Sequence, residues 1–159
     1  MLALPSPGQE DATLAFSHQM LRIWAWQGMK AFDKAEQALM ALVASPLGQA
    51  QQAFVENVLA DHWVRTGNTA AIFQPGSPIT QLRIRAAVLK QEADPALLRQ
   101  QASQGPSAAE RQIALHTLLV RDLIASDPAT FLQDVALIPA DYKEATPPAD
   151  APWEPVPNG

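Results

Sequence analysis

No cysteine occurs in the 159 residues, which excludes disulfides, a thiolate nucleophile and any thiolate metal site. Charge is also scarce: 17% of residues are Asp, Glu, Lys or Arg, with a net charge of −5 at pH 7. A broad phosphate-binding surface needs a basic face, so this balance argues against general nucleic-acid binding. No apolar run approaches the roughly 18 residues that a membrane-spanning helix requires. The start, MLALPSPGQED, has neither a basic segment nor a long apolar one, so no signal peptide is expected there. A cytoplasmic setting is favoured, although bacterial cytoplasmic and periplasmic proteins alike can lack cysteine.

Motifs of catalysis are missing too. There is no HExxH, no GxSxG and no Gly-rich phosphate loop, and the seven glycines are spread along the chain as terminators. The histidines are His18, His62 and His116, and no two share a one-turn helical spacing that would aim them at one metal ion. His116 has Ile113, Leu119 and Val120 as helical neighbours, which places it in the core or at its edge. Asp94, Glu110 and Asp127 stand at helix starts, where capping and the helix dipole explain them. No enzyme activity, metal or cofactor is expected.

What remains is apolar and helical. The hydrophobic fraction is 48%, alanine and glutamine are abundant, and no long run is rich in β-branched residues. The expectation is an all-α domain of about six helices in antiparallel pairs, either a solenoid-like stack or an irregular bundle. It covers residues 10–138, between an extended leader at 1–9 and a Pro-rich tail at 139–159.

The organising stretch runs from Asp11 to Ala44 and contains no proline. At about 100° per residue, Leu14, Leu21, Trp24, Phe32, Leu39, Leu42 and Val43 share roughly one third of a turn, a core face. Phe16 and Ile23 lie far from that stripe. Trp26 falls about 200° from Trp24, among polar residues and between Arg22 and Lys30 one turn away on either side. This predicts either a helix packed on two sides or a surface indole that docks a partner, with Arg22 and Lys30 flanking it. Gly28 lies on the core side and allows one long helix or two, the second capped by Asp33 with Glu36.

Ser45-Pro46 reads as the start of a second helix, to about Thr66, burying Leu47, Ala50, Phe54, Val58 and Trp63. Gly67-Asn68 ends it. Residues 68–77 form a loop with a Pro75-Gly76 turn that tucks Ile72 and Phe73 inward. Ser77-Pro78 begins a third helix to about Ala93, with Leu82, Ala86 and Leu89 on one face and Ile84 and Val88 on another. Asp94-Pro95 begins a fourth, to Gly105. Ser107 with Glu110 forms a capping box for a fifth, which buries Ile113, Val120, Leu123 and Ile124. Asp127-Pro128 begins a sixth, through Ile138. The two Asp-Pro starts stand 33 residues apart, a helix-pair period similar to that of tetratricopeptide or HEAT-type arrays over residues 77–138. The tetratricopeptide signature of Trp, Leu-Gly, Tyr and a late Pro is absent.

Three functional readings follow. The leading one is a non-catalytic helical domain that holds another protein or itself through Trp26, Arg22 and Lys30, through Arg83 and Lys90, or through Trp153 in the tail sequence PWEPVP. A second is a bundle enclosing an apolar ligand or lipid, lined by Met20, Met29, Met40, Phe54 and Phe73. A third is a positive groove for nucleic acid or an acidic peptide, made of Arg83, Arg85, Lys90 and Arg99 with Arg111 and Arg121. The competing explanation for those cations is a solvated face paired to Glu92 and Asp94.

Overall fold

The structure, a computed structural model, describes residues 7–139. Trp153 and nearly all of the Pro-rich tail lie outside the described residues. Within them the chain is all-helical, with α1 at Pro7–Gly28, α2 at Phe32–Val43 and α3 at Gln49–Arg65. A 3-10 turn at Thr69–Phe73 leads to α4 at Leu82–Gln91, α5 at Pro95–Gln104, α6 at Ala108–Ile124 and α7 at Pro128–Val135. Helix α1 thus begins inside the stretch read as an extended leader. Each helix packs mainly on its sequence neighbour, except that α6 receives α4, α5 and α7 together. A single cluster of apolar side chains, from Met20 and Ile23 through Leu59 and Leu89 to Leu118, joins α1 to α6, and no residue of α7 belongs to it.

The stretch Asp11–Ala44 forms two helices. The break after Gly28 is a Schellman end: Ala31 N–H donates to Trp26 O at 2.7 Å and Lys30 N–H to Gln27 O at 3.0 Å. Lys30 occupies the left-handed position, with φ of 59°. Asp33 does not cap α2, which starts at Ala31 without a side-chain cap. Glu36 instead accepts the indole N–H of Trp63 at 2.9 Å.

The Asp-Pro starts behave as expected, and the Ser-Pro starts do not. Asp94 accepts from Leu97 N–H and Asp127 from Thr130 N–H, each directly before a proline at the first helical position. Ser45 turns back and donates to Leu42 O at 2.6 Å, so α3 begins three residues later behind Gly48. Ser77 accepts from Ile79 N–H, and α4 begins only at Leu82. What fixes that start is distant in sequence: the buried Glu56 carboxylate of α3 accepts from Thr80 N–H, Thr80 Oγ1 and Gln81 N–H. As a result α4 has 10 residues and α6 has 17, so the helices preceding the two Asp-Pro starts are unequal.

Arg85 is the junction of the second half. It is buried on α4, and Nε and one Nη donate to Glu110 of α6 at 2.7 and 3.0 Å. The other Nη donates to Ile72 O at 2.7 Å and Ile79 O at 3.0 Å, and the guanidinium lies 5.1 Å from the Phe73 ring centroid. Ile72 and Phe73 therefore tuck inward as expected, held by a cation rather than by apolar contact alone. Ser107 Oγ accepts Glu110 N–H, but the Glu110 side chain goes to Arg85 instead of completing the capping box.

Two outcomes follow. Replacing Arg85 by Met leaves Glu110 charged and buried, and should cost about 3–5 kcal/mol by urea unfolding, much of it regained in Arg85→Met with Glu110→Met. Lys30→Gly relieves a left-handed non-glycine residue and should raise stability by about 1 kcal/mol in the same assay.

Candidate interaction surface

The break at Gly28 resets the phase of the helix. The inward side of α1 is Phe16, Met20, Ile23 and Trp26, spaced four, three and three residues apart. Ile23 is fully buried, whereas Leu14, Leu21 and Trp24 are exposed, at 55%, 60% and 46%. The expected core stripe is therefore the outer face of α1. Its error came from continuing the phase of Leu39, Leu42 and Val43, which are buried, backward through the turn. Phe32, at the start of α2, is exposed as well.

Helix α1 has 22 residues and α2 has 12, so the first part of α1 extends about 15 Å past its partner in the hairpin. Residues 11–15 are exposed without exception. Where α3 passes beneath, Phe54 meets Phe16 and Trp24 edge to face, each at a centroid distance of 6.4 Å. Phe54 is itself exposed, contrary to its expected place in the core. Leu14, Leu21, Trp24 and Phe54 thus form one outward apolar surface, flanked by exposed His18 and Arg22. Helix α6 shows the same inversion. It buries Glu110, Ala114, Leu115, Leu118 and Asp122, while Val120, Leu123 and Ile124 face outward and Ile113 is half-buried.

The residues marked in the sequence scatter. Trp26 is half-buried against the core, with the Arg22 guanidinium 5.5 Å from its ring centroid. Lys30 is exposed in the α1–α2 turn, and Arg83 and Lys90 are exposed on α4. The other cations have internal partners that differ from Glu92 and Asp94. Arg85 is held by Glu110, and Arg99 by Asp134. Arg111 donates to Gly105 O at 2.8 Å, and Arg121 donates to Ala93 O and to Lys90 O. Met20 and Phe73 are buried, whereas Met29, Met40 and Phe54 are exposed, so the five residues do not line one cavity. Phe73 does line a surface cleft of about 360 Å³ with Arg85 and Glu110 among its walls. There Arg85 is committed to Glu110 and two carbonyls.

His62 is buried, receives the Gln27 side-chain amide at Nδ1 at 3.0 Å and meets Phe32 edge to face. His18 is exposed, and so is His116, contrary to its expected place at the core. Among the described residues no three His, Asp or Glu side chains are grouped to hold a metal ion.

A second cluster joins α5, α6 and α7. Arg99 donates from Nε and Nη to both oxygens of buried Asp134, at 2.8 and 3.2 Å. Asp122 of α6 is buried close to Asp134 and Arg99, and its Oδ2 has no hydrogen-bond partner among the described residues. Burial, helped by Asp134, raises the Asp122 carboxyl to about 6. The Arg99 hydrogen bonds hold Asp134 below the usual carboxylate range. Asp127 is lowered by its capping bonds to Thr130. Sequence analysis does not single out this cluster, because its partners stand on three helices and no local pattern marks Asp122 or Asp134 as buried.

Comparison with models of known protein families, with curated proteins and with solved structures found no match. With four of the six clustered cations bound internally, the chain should pass through a heparin or DNA column at low salt without retention.

Proposed function

We propose that this chain is a non-catalytic helical interaction domain whose docking surface is the outer face of α1 together with Phe54. The observation that carries the reading is that α1 is apolar on two sides and uses only one. Exposed large apolar groups grouped on one face, with a Trp among them, are the usual composition of a binding centre. Leu14 and Leu21 are separated by seven residues, and Trp24 stands three further on. That is the spacing by which one helix seats another, so the occupant is an amphipathic helix. The overhang of α1 supports this, since a partner helix can lie along it without displacing α2. The indole edge of Trp24 adds one hydrogen-bond donor to an otherwise apolar seam.

The buried acids do not compete with this reading. Glu56 receives the N-terminus of α4, and Glu110 and Asp134 each hold an arginine. Lys30 then belongs to the charged rim rather than the anchor, and Arg83 and Lys90 stand on α4, outside the proposed surface.

Sedimentation velocity over a concentration series, with a photo-crosslinker at Leu21, tests the proposal. The expected result is association through α1, seen as crosslinks to a helix of a second copy or of a co-purified protein. Leu21→Glu with Trp24→Glu should abolish it while leaving the unfolding midpoint nearly unchanged, because both side chains are exposed. Undiminished association in the double variant would refute the assignment.

A further inference from the structure

The acid pair at the α6–α7 junction is a different device from the docking surface and is argued independently of it. Helix α7 has eight residues, and its one fully buried side chain is Asp134. Its attachment therefore leans on that carboxylate, since Phe131 and Val135 are only half-buried and Leu132 faces outward. Asp134 is bound by the Arg99 guanidinium from α5 and neighbours the buried Asp122 carboxyl from α6. Two carboxylates in contact, away from water and facing one cation, cannot both be ionised without cost. One proton held between them removes the conflict. Protonated Asp122 donates to Asp134, and Asp134 remains a full partner for Arg99.

We infer that α7 is a pH-operated latch, closed while Asp122 carries a proton shared with Asp134 and released when that proton leaves.

Among the described residues the groups facing Asp122 are few. Arg99 acts from α5, Asp134 from α7 and Asp127 from the turn between α6 and α7. Arg121, its chain neighbour, points away to the Ala93 and Lys90 carbonyls. From α4, Lys90 is exposed, and Arg85 is held by Glu110, about 18 Å along α6. Among the described residues no second cation is in place to hold an ionised Asp122, and its Oδ2 is without a hydrogen-bond partner there.

The direction of the effect follows from linkage. The Asp122 carboxyl is raised from 3.8 to about 6, so its stabilising contribution is complete below 3.8 and is lost as pH rises through about 6. Asp134 is lowered, so its pairing with Arg99 is present above the ordinary carboxylate range and lost only as pH falls below it. The latch is tightest in mild acid, between those two limits. Opening it would bare the side of α6 that carries Asp122, beside the already exposed Leu123 and Ile124.

Amide hydrogen exchange across the whole chain, corrected for intrinsic base catalysis, reads the latch directly. The open fraction of α7 should rise about tenfold from about pH 5 to about pH 8, with α2 and α3 unchanged. Asp122→Asn keeps a donor to Asp134 without a titrating group, so its α7 should stay protected over the same range. The Asp122 carboxyl carbon shift in the unmodified chain should titrate together with the α7 opening. A flat α7 profile in the unmodified chain would overturn the inference. So would the same pH dependence in Asp122→Asn, or an Asp122 titration in the ordinary carboxylate range.

Discussion

A guanidinium and a carboxylate removed from water hold the second half of this molecule at one point. Arg85 ties α4 to Glu110 of α6, and its remaining bonds draw in the carbonyls of Ile72 and Ile79. Such a pair gives little net stability compared with apolar packing, but breaking it strands a charge, so the arrangement of its elements is strongly specified. The same device recurs. Glu56 fixes where α4 begins, and Asp134 fastens α7 to Arg99. Buried acids therefore set the junctions, and the leucines and alanines fill the space between them.

That arrangement explains which features were legible in the sequence. The all-helical class, the Gly67 end of α3, both Asp-Pro caps and the inward turn of Ile72 and Phe73 follow from short-range chemistry. Local rules suffice for these because each depends on residues within one turn. The faces of α1, α3 and α6 did not follow. An inward stripe containing Glu56, Glu110 or Asp122 reads as polar, and an outward stripe containing Leu21, Phe54 or Ile124 reads as core. Only a partner tens of residues away makes those acids burial-compatible. The Ser-Pro starts failed for a related reason: Ser45 and Ser77 found other bonds, and for α4 a carboxylate from α3 supplied the cap. The candidate surface was half legible. Arg22 and the presence of an indole were found, but the phase placed Trp26 outward instead of Trp24.

The two functional inferences occupy separate regions and depend on different physics. On α1 and α3, a side of the helix remains apolar after the core is complete, so its chemistry is that of contact. At α5, α6 and α7, too many carboxylates meet one cation, so its chemistry is that of a held proton. Neither site involves the exposed Arg83 and Lys90 of α4. The chain thus offers surface at one end and a titratable fastening at the other.

The turn after Gly28, which rotates Leu21 outward and Ile23 inward, is the point on which the functional account rests. Because the chain has no cysteine, a single introduced thiol reports on its own position without interference. The rate of thiol labelling should therefore be compared for Leu21→Cys and Ile23→Cys in dilute, folded protein. The account predicts that the thiol at 21 reacts almost as fast as in the unfolded chain, and the thiol at 23 only as the protein opens. Fast labelling at 23 with protection at 21 would contradict it.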